Sequence, residues 1–179
     1  MSLNLVAAGK NVPEKFNVII EISMNADPIK YEVDKETGAI FVDRFMGTAM
    51  FYPCNYGYIP QTIGLDGDPV DVLVMSPYSL PPGVVVSCRT IGVLNMEDDG
   101  GVDAKLLAVP DTKLLPVYAH INSLEDVSPR TLNQIKHFFE HYKDLEEGKW
   151  VKIQGWDNAD AAKKEILAGI ERYQSSIKS

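Results

Sequence analysis

The 179-residue sequence has only two cysteines, Cys54 and Cys88, too few for the disulfide framework of a small secreted domain. Both lie in apolar stretches and are expected as free, buried thiols in a reducing cytoplasm. Nowhere do 18 apolar residues run together, so a membrane-spanning helix is excluded. The amino terminus has one early lysine and a short mixed stretch, which does not make an export signal. No proline- or glycine-rich linker and no internal repeat divides the chain, so residues 1–179 read as one domain. Basic residues are also scarce, with Lys and Arg numbering 17 against 25 Asp and Glu, for a net charge of −8. Polyanion binding draws its affinity from lysine and arginine displacing counterions, so neither nucleic acid nor an anionic membrane is expected as a partner. An anionic ligand would need cations as mediators. The GxxxxGK[ST], GxGxxG, GxSxG and CxxC patterns are all missing, which removes nucleotide-loop and serine-hydrolase readings.

Hydrophobic residues make up 45% and charged residues 23%, enough for a packed core. Alternating or continuous apolar runs predict strands over 17–22, 29–34, 39–43, 71–75, 84–96, 104–109 and 150–156. The turn 34–38, with Gly38 placed for a positive backbone angle, makes 29–43 a hairpin. Helical periodicity comes late. Leu132, Ile135, Phe138, Phe139, Tyr142 and Leu145 mark a helix over 129–145. A second, over about 158–173, follows the capping candidates Asp157 and Asn158, with Ala162, Ile166, Ile170 and Tyr173 as its stripe. Strands first and helices afterwards mean α+β. So many short strands would leave exposed edges unless the sheet curls, so a small closed, OB-like β-barrel with flanking helices is expected.

The chemistry concentrates in Asp66-Gly67-Asp68-Pro69-Val70-Asp71, three carboxylates within six residues at the mouth of a strand. Like charges so close raise each other's proton affinity, and hard divalent cations are their natural compensation. Oxygen-only ligands favour magnesium, manganese or calcium over zinc. An EF-hand is excluded because position six from Asp66 is Asp71 and position twelve is Pro77, where glycine and glutamate are required. A second acidic group, Asp98, Asp99 and Asp103, sits in a glycine-containing, hairpin-like loop shortly before Lys105. Lys30 and Glu32 share one strand face, and the partner strand carries Arg44. Tyr52, Tyr56 and Tyr58 stand just ahead of the aspartate turn. On the first helix Tyr142 and Lys143 can reach the barrel mouth. His137, Glu140 and His141 match the HxxEH pattern of some zinc peptidases, but both histidines fall off the apolar stripe, which favours a surface or subunit-contact role.

Taken together, KYEVDKETGAIFVDRF, MFYPCNYGYIPQT, DGDPVDVLV, DAKLLAVP and HFFEHYKDLEEGKWVK resemble the family I soluble inorganic pyrophosphatases of bacterial type. The resemblance runs from about Asn11 to the last helix. It implies a homohexamer that hydrolyses pyrophosphate to two orthophosphates with several Mg2+ per subunit, Mn2+ or Zn2+ being able to substitute. By motif position it assigns Asp66, Asp71 and Asp103 to the first metal, with Asp71 bridging to a second. Asp98 and Asp103 then serve a metal arriving with substrate, and Glu21 and Glu32 complete the acidic shell. Lys30, Arg44, Tyr56, Lys105, Tyr142 and Lys143 match phosphate-contacting positions, Lys30, Arg44 and Tyr56 with catalytic weight, and Tyr52 lines the site. Asp68 is implied as the general base for a metal-activated hydroxide, without a covalent intermediate.

Overall fold

Residues 16–22 are buried at every position except Asn17, which is the pattern of a strand covered on both faces. A computed structural model describes residues 2–178 of the chain. In it β1 (Phe16–Ile22) pairs on one side with β4 (Asn55–Tyr58) and on the other with β6 (Val85–Asp98). From β4 the sheet continues through β5 (Asp71–Val74) and β7 (Gly101–Pro110) back to β6, closing a ring in the order β1-β4-β5-β7-β6. Among the described residues only β5 and β7 run parallel. This is the OB-like barrel, and closure leaves no unpaired edge within the ring. β8 (Val151–Asn158) adds to the far half of β6. β2 (Ile29–Val33) and β3 (Ile40–Phe45) form a separate hairpin, with Gly38 at φ +70° and Asp34 capping its turn through Thr37 N–H at 2.7 Å.

β4 is absent from the strands predicted by sequence, and without it the ring cannot close. The segment is short, mixes Asn55 and Gly57 with tyrosines, and carries no alternation long enough to register. Its glycine has a positional reason. A Cβ on Gly57 would lie 1.9 Å from the Ile19 carbonyl oxygen, so only glycine lets β4 approach β1. Asn55, fully buried, accepts from the Met24 and Leu80 amides and donates to the Tyr78 carbonyl, fixing the loops around the barrel end.

Alternate residues of the same strands divide between two cores. Leu73 faces α1 (Pro129–His141), whose Ile135, Phe138 and Phe139 are buried, while Val72 and Val74 share a core with Ala162 and Ile166 of α2 (Ala159–Ser176). Asn158 caps α2 by accepting from the Ala161 amide at 2.9 Å. α1 is shorter than the 129–145 expected. Its last full-turn bond runs from the Tyr142 amide to the Phe138 carbonyl, after which three-residue turns take over. Leu145 is 72% exposed, so the stripe ends before it. Tyr142 is thus the helix cap and Lys143 lies beyond the helix rather than on its flank.

Candidate active site

The turn before β5 is built on Gly67 at φ +91° and on Asp66 Oδ1 accepting the Asp68 amide at 3.0 Å. It delivers three carboxylates to three depths. Asp71 is the first residue of β5, paired in register with Lys105 on β7 and Tyr58 on β4. Asp103 lies two residues before Lys105, on the same face of β7. These pairings bring the Lys105 ammonium 2.5 Å from Asp71 Oδ2, 2.8 Å from Asp103 Oδ2 and 2.9 Å from the Tyr56 hydroxyl, with the lysine side chain 5% exposed. Burial alone would drive that ammonium towards neutrality. Asp71, Tyr56 and Asp103 more than offset it and hold the Lys105 pKa well above its ordinary value.

Burial pushes the Tyr56 phenol well above its ordinary range, so it remains a neutral hydroxyl. The same effect raises the Asp66 carboxyl to about 6, helped by Asp103, Asp71 and Asp68. Glu21 on β1 is raised to about 8, again chiefly by burial, although the Val33 amide donates to it at 2.8 Å. Asp71 is also raised, by burial first, against the pull of Lys105. Asp68, by contrast, stands at the rim with its side chain 65% exposed and Lys35 3.1 Å away.

The hairpin and the residues after α1 supply the remaining groups. Lys30 pairs with Asp43 at 3.4 Å and Arg44 with Glu146 at 3.0 Å, while Glu32 lies beside Lys30 at the cleft. Lys143 reaches Asp98 at 2.8 Å. Aromatic contacts form the floor: Tyr52 packs on Tyr56 at 4.8 Å and on Phe138 at 4.6 Å, and Tyr142 on Phe138 at 5.2 Å. Every site residue predicted from sequence lines this one cleft of about 590 Å³. Asp98 and Asp103 occupy strand positions rather than the loop expected; only Asp99 and Gly100 turn between them.

A sequence profile described as inorganic pyrophosphatase matches residues 18–174. The chain belongs to the inorganic pyrophosphatase family. It is 66% identical over 172 residues to the inorganic pyrophosphatase of Salmonella typhimurium, a match spanning 96% of this chain and 98% of the relative. It is 64% identical over 175 residues to that of Escherichia coli K12, covering 98% and 99%. These matches place it among the bacterial, family I pyrophosphatases. The crystal structure of an inorganic phosphatase from Anaplasma phagocytophilum superimposes with a TM-score of 0.93 at 48% identity, over 94% of this chain and 99% of that one. The Thermus thermophilus inorganic pyrophosphatase gives 0.90 at 44% identity, over 97% and 99%.

The donor set fits a hard divalent cation: it is made of oxygens, and burial with mutual repulsion leaves Asp66, Asp71 and Glu21 short of positive charge. Among the described residues no three of these carboxylates stand together at metal-holding separation, and the Lys105 ammonium lies between Asp71 and Asp103. The HxxEH pattern is not assembled either. His137 and His141 are exposed, their rings 4.6 Å apart, and His141 Nδ1 lies 2.7 Å from Asp144. Sequence reasoning missed Lys35, Asp43, Glu146 and Lys149, and gave Asp99 no role beyond membership of the second acidic group. Asp43 adjoins Arg44 in a strand and could have been considered with it. Glu146 and Lys149 lie in an aperiodic loop, where no pattern marks them.

Proposed function

We propose that this enzyme hydrolyses inorganic pyrophosphate to two orthophosphates, with magnesium as its physiological metal and manganese or zinc as substitutes. The observation that carries the reading is one cleft in which six partly or fully buried carboxylates, Glu21, Glu32, Asp66, Asp71, Asp98 and Asp103, face Lys30, Arg44, Lys105 and Lys143. An acidic protein handles a strongly anionic substrate by first collecting divalent cations and then presenting a few placed ones of its own. Asp66, Asp71 and Asp103 would hold the first ion, with Asp71 shared to a second. Asp98 and Asp103 would hold an ion arriving with substrate, and Glu21 and Glu32 add negative charge behind them. When bound, such ions neutralise phosphate oxygens and lower the pKa of water.

The chain's own residues do the rest. Asp68 stands at the rim with Oδ1 accepting from Lys35, and its carboxylate can accept the proton of the attacking water as general base. Lys105, held charged, and Tyr56, held neutral, can both donate to phosphate oxygens. Lys30, Arg44, Tyr142 and Lys143 complete the set of donors, and Arg44 offers a planar fork suited to two oxygens at once. Water attacks one phosphorus directly while the other phosphate leaves, so no phosphorylated residue intervenes. The buried aromatic floor excludes bulk water from that side of the cleft.

A single domain over residues 1–179, cytoplasmic residence and a homohexamer belong to the same reading. The profile match over 18–174 supports the first. No helix of the described residues is long and apolar enough to cross a membrane. Phe41, Phe45 and Phe51, each more than half exposed, support burial against other copies. The deciding experiment is phosphate release from pyrophosphate with and without Mg2+. No magnesium-dependent release by the parent protein would end this proposal.

A further inference from the structure

Residues 142–149, between α1 and β8, border the cleft and are tied to both of its sides. Glu146 accepts from Arg44 of β3 at 3.0 Å. Lys143 donates to Asp98 at 2.8 Å and lies 3.6 Å from Asp99, at the tip of the β6–β7 hairpin. Lys149 donates to Asp99 Oδ2 at 2.7 Å. Inside the strap, turns link Asp144 to His141, Glu146 to Lys143 and Lys149 to Glu146, at 3.0 to 3.2 Å, so its two ends are mechanically coupled.

These ties differ in what substrate does to them. On the function proposed above, Arg44 and Lys143 turn to phosphate oxygens and Asp98 to a metal, so ligand competes for both the Glu146–Arg44 and the Lys143–Asp98 pairs. Asp99 and Lys149 have no such duty. Theirs is the ion pair among the described residues that joins strap to hairpin without a group claimed by ligand.

We propose that Asp99 and Lys149 form a tether that keeps the strap against the β6–β7 hairpin while Arg44 leaves Glu146, and Lys143 and Asp98 leave each other, for substrate and its metal. They are positioning residues for Lys143. Because Lys143 meets the phosphate before and during reaction alike, loosening the tether weakens binding without slowing the chemical step. A partly exposed ion pair is of a size to change the population of the docked strap about three- to fivefold.

The test uses single and paired charge reversals, Asp99→Lys, Lys149→Asp and both together, on the magnesium-loaded enzyme. Each single reversal is expected to raise KM about fivefold with kcat within twofold, and to speed amide hydrogen exchange across 142–149. The double reversal returns both to near the parent value, and thermal midpoints stay within a few degrees throughout. Unchanged KM and exchange in the single variants would overturn the tether. So would a loss of kcat that the double reversal does not repair, or weakened Mg2+ binding by calorimetry in Asp99→Lys, which would make Asp99 a ligand instead. An inactive parent sinks the pyrophosphatase reading alone, since hydrogen exchange decides the tether without turnover.

Discussion

At the scale of single residues, the three aspartates of one short turn meet three environments, and the roles proposed for them follow from that. Asp71 is buried against Lys105, Asp66 is half buried with a raised pKa, and Asp68 is exposed at the rim. Replacing Asp68 by Asn is expected to lower kcat by about 10²- to 10⁴-fold, the range for a general base. Mg2+ affinity, read by calorimetry, should stay close to the parent value. Lys30→Ala should instead raise KM with metal binding intact, because its ammonium lies at the cleft beside Asp43 rather than among the buried carboxylates. Glu21 gives a pH prediction whose sign is fixed by its pKa, raised from 4.5 to about 8. Between those values the folded metal-free protein holds a proton that the unfolded chain releases, so stability falls as pH rises through the interval. At about 1.4 kcal/mol per pH unit over this interval the loss is on the order of 5 kcal/mol. Urea unfolding in chelator across pH 5 to 8 should show this slope, and Glu21→Gln should flatten it.

At the scale of elements, the site depends on strands meeting at one barrel end. Asp71 faces Lys105 only because β5 and β7 run parallel in that register. A Cβ at Gly57 would meet the Ile19 carbonyl oxygen at 1.9 Å, so Gly57→Ala should cost about 3 kcal/mol or more by forcing β4 away from β1. Denaturant midpoints would measure it; a change under 1 kcal/mol would show that β4 can shift without harm. The elements that were legible in the sequence are those whose pattern is long or strongly punctuated. The β2–β3 hairpin is marked by its Asp34–Gly38 turn and α2 by its Asn158 cap, and both appear as expected. β4 was hidden because four residues with a glycine carry no periodicity; its stability comes from pairing with strands distant in sequence. α1 was read too long for a related reason. Leu145 continues the helical spacing, but the chain leaves the helix to carry Lys143 and Glu146 to their partners.

At the scale of the molecule, binding and stability are linked. Cations that bind the folded cleft and not the unfolded chain must stabilise the fold, by about 2.7 kcal/mol at a hundredfold excess over Kd. Mg2+ should therefore raise the thermal midpoint of the parent and do much less for Asp71→Asn, as calorimetry would record. Sedimentation should find an assembly larger than a monomer, in keeping with Phe41, Phe45 and Phe51 left uncovered on one chain. By itself the sequence determined the α+β class, the hairpin and the late helices, since these rest on local periodicity, and its dense aspartate motif pointed to residues that line one cleft. Which carboxylate is buried, which lysine neutralises it, that Lys35 and the Asp99–Lys149 pair line the same cleft, and that Asp43 and Glu146 hold its Lys30 and Arg44 were decided only by the tertiary structure. Burial and charge pairing are set by strands and loops up to about a hundred residues apart in the chain, as Arg44 and Glu146 are, and no local pattern encodes such a meeting.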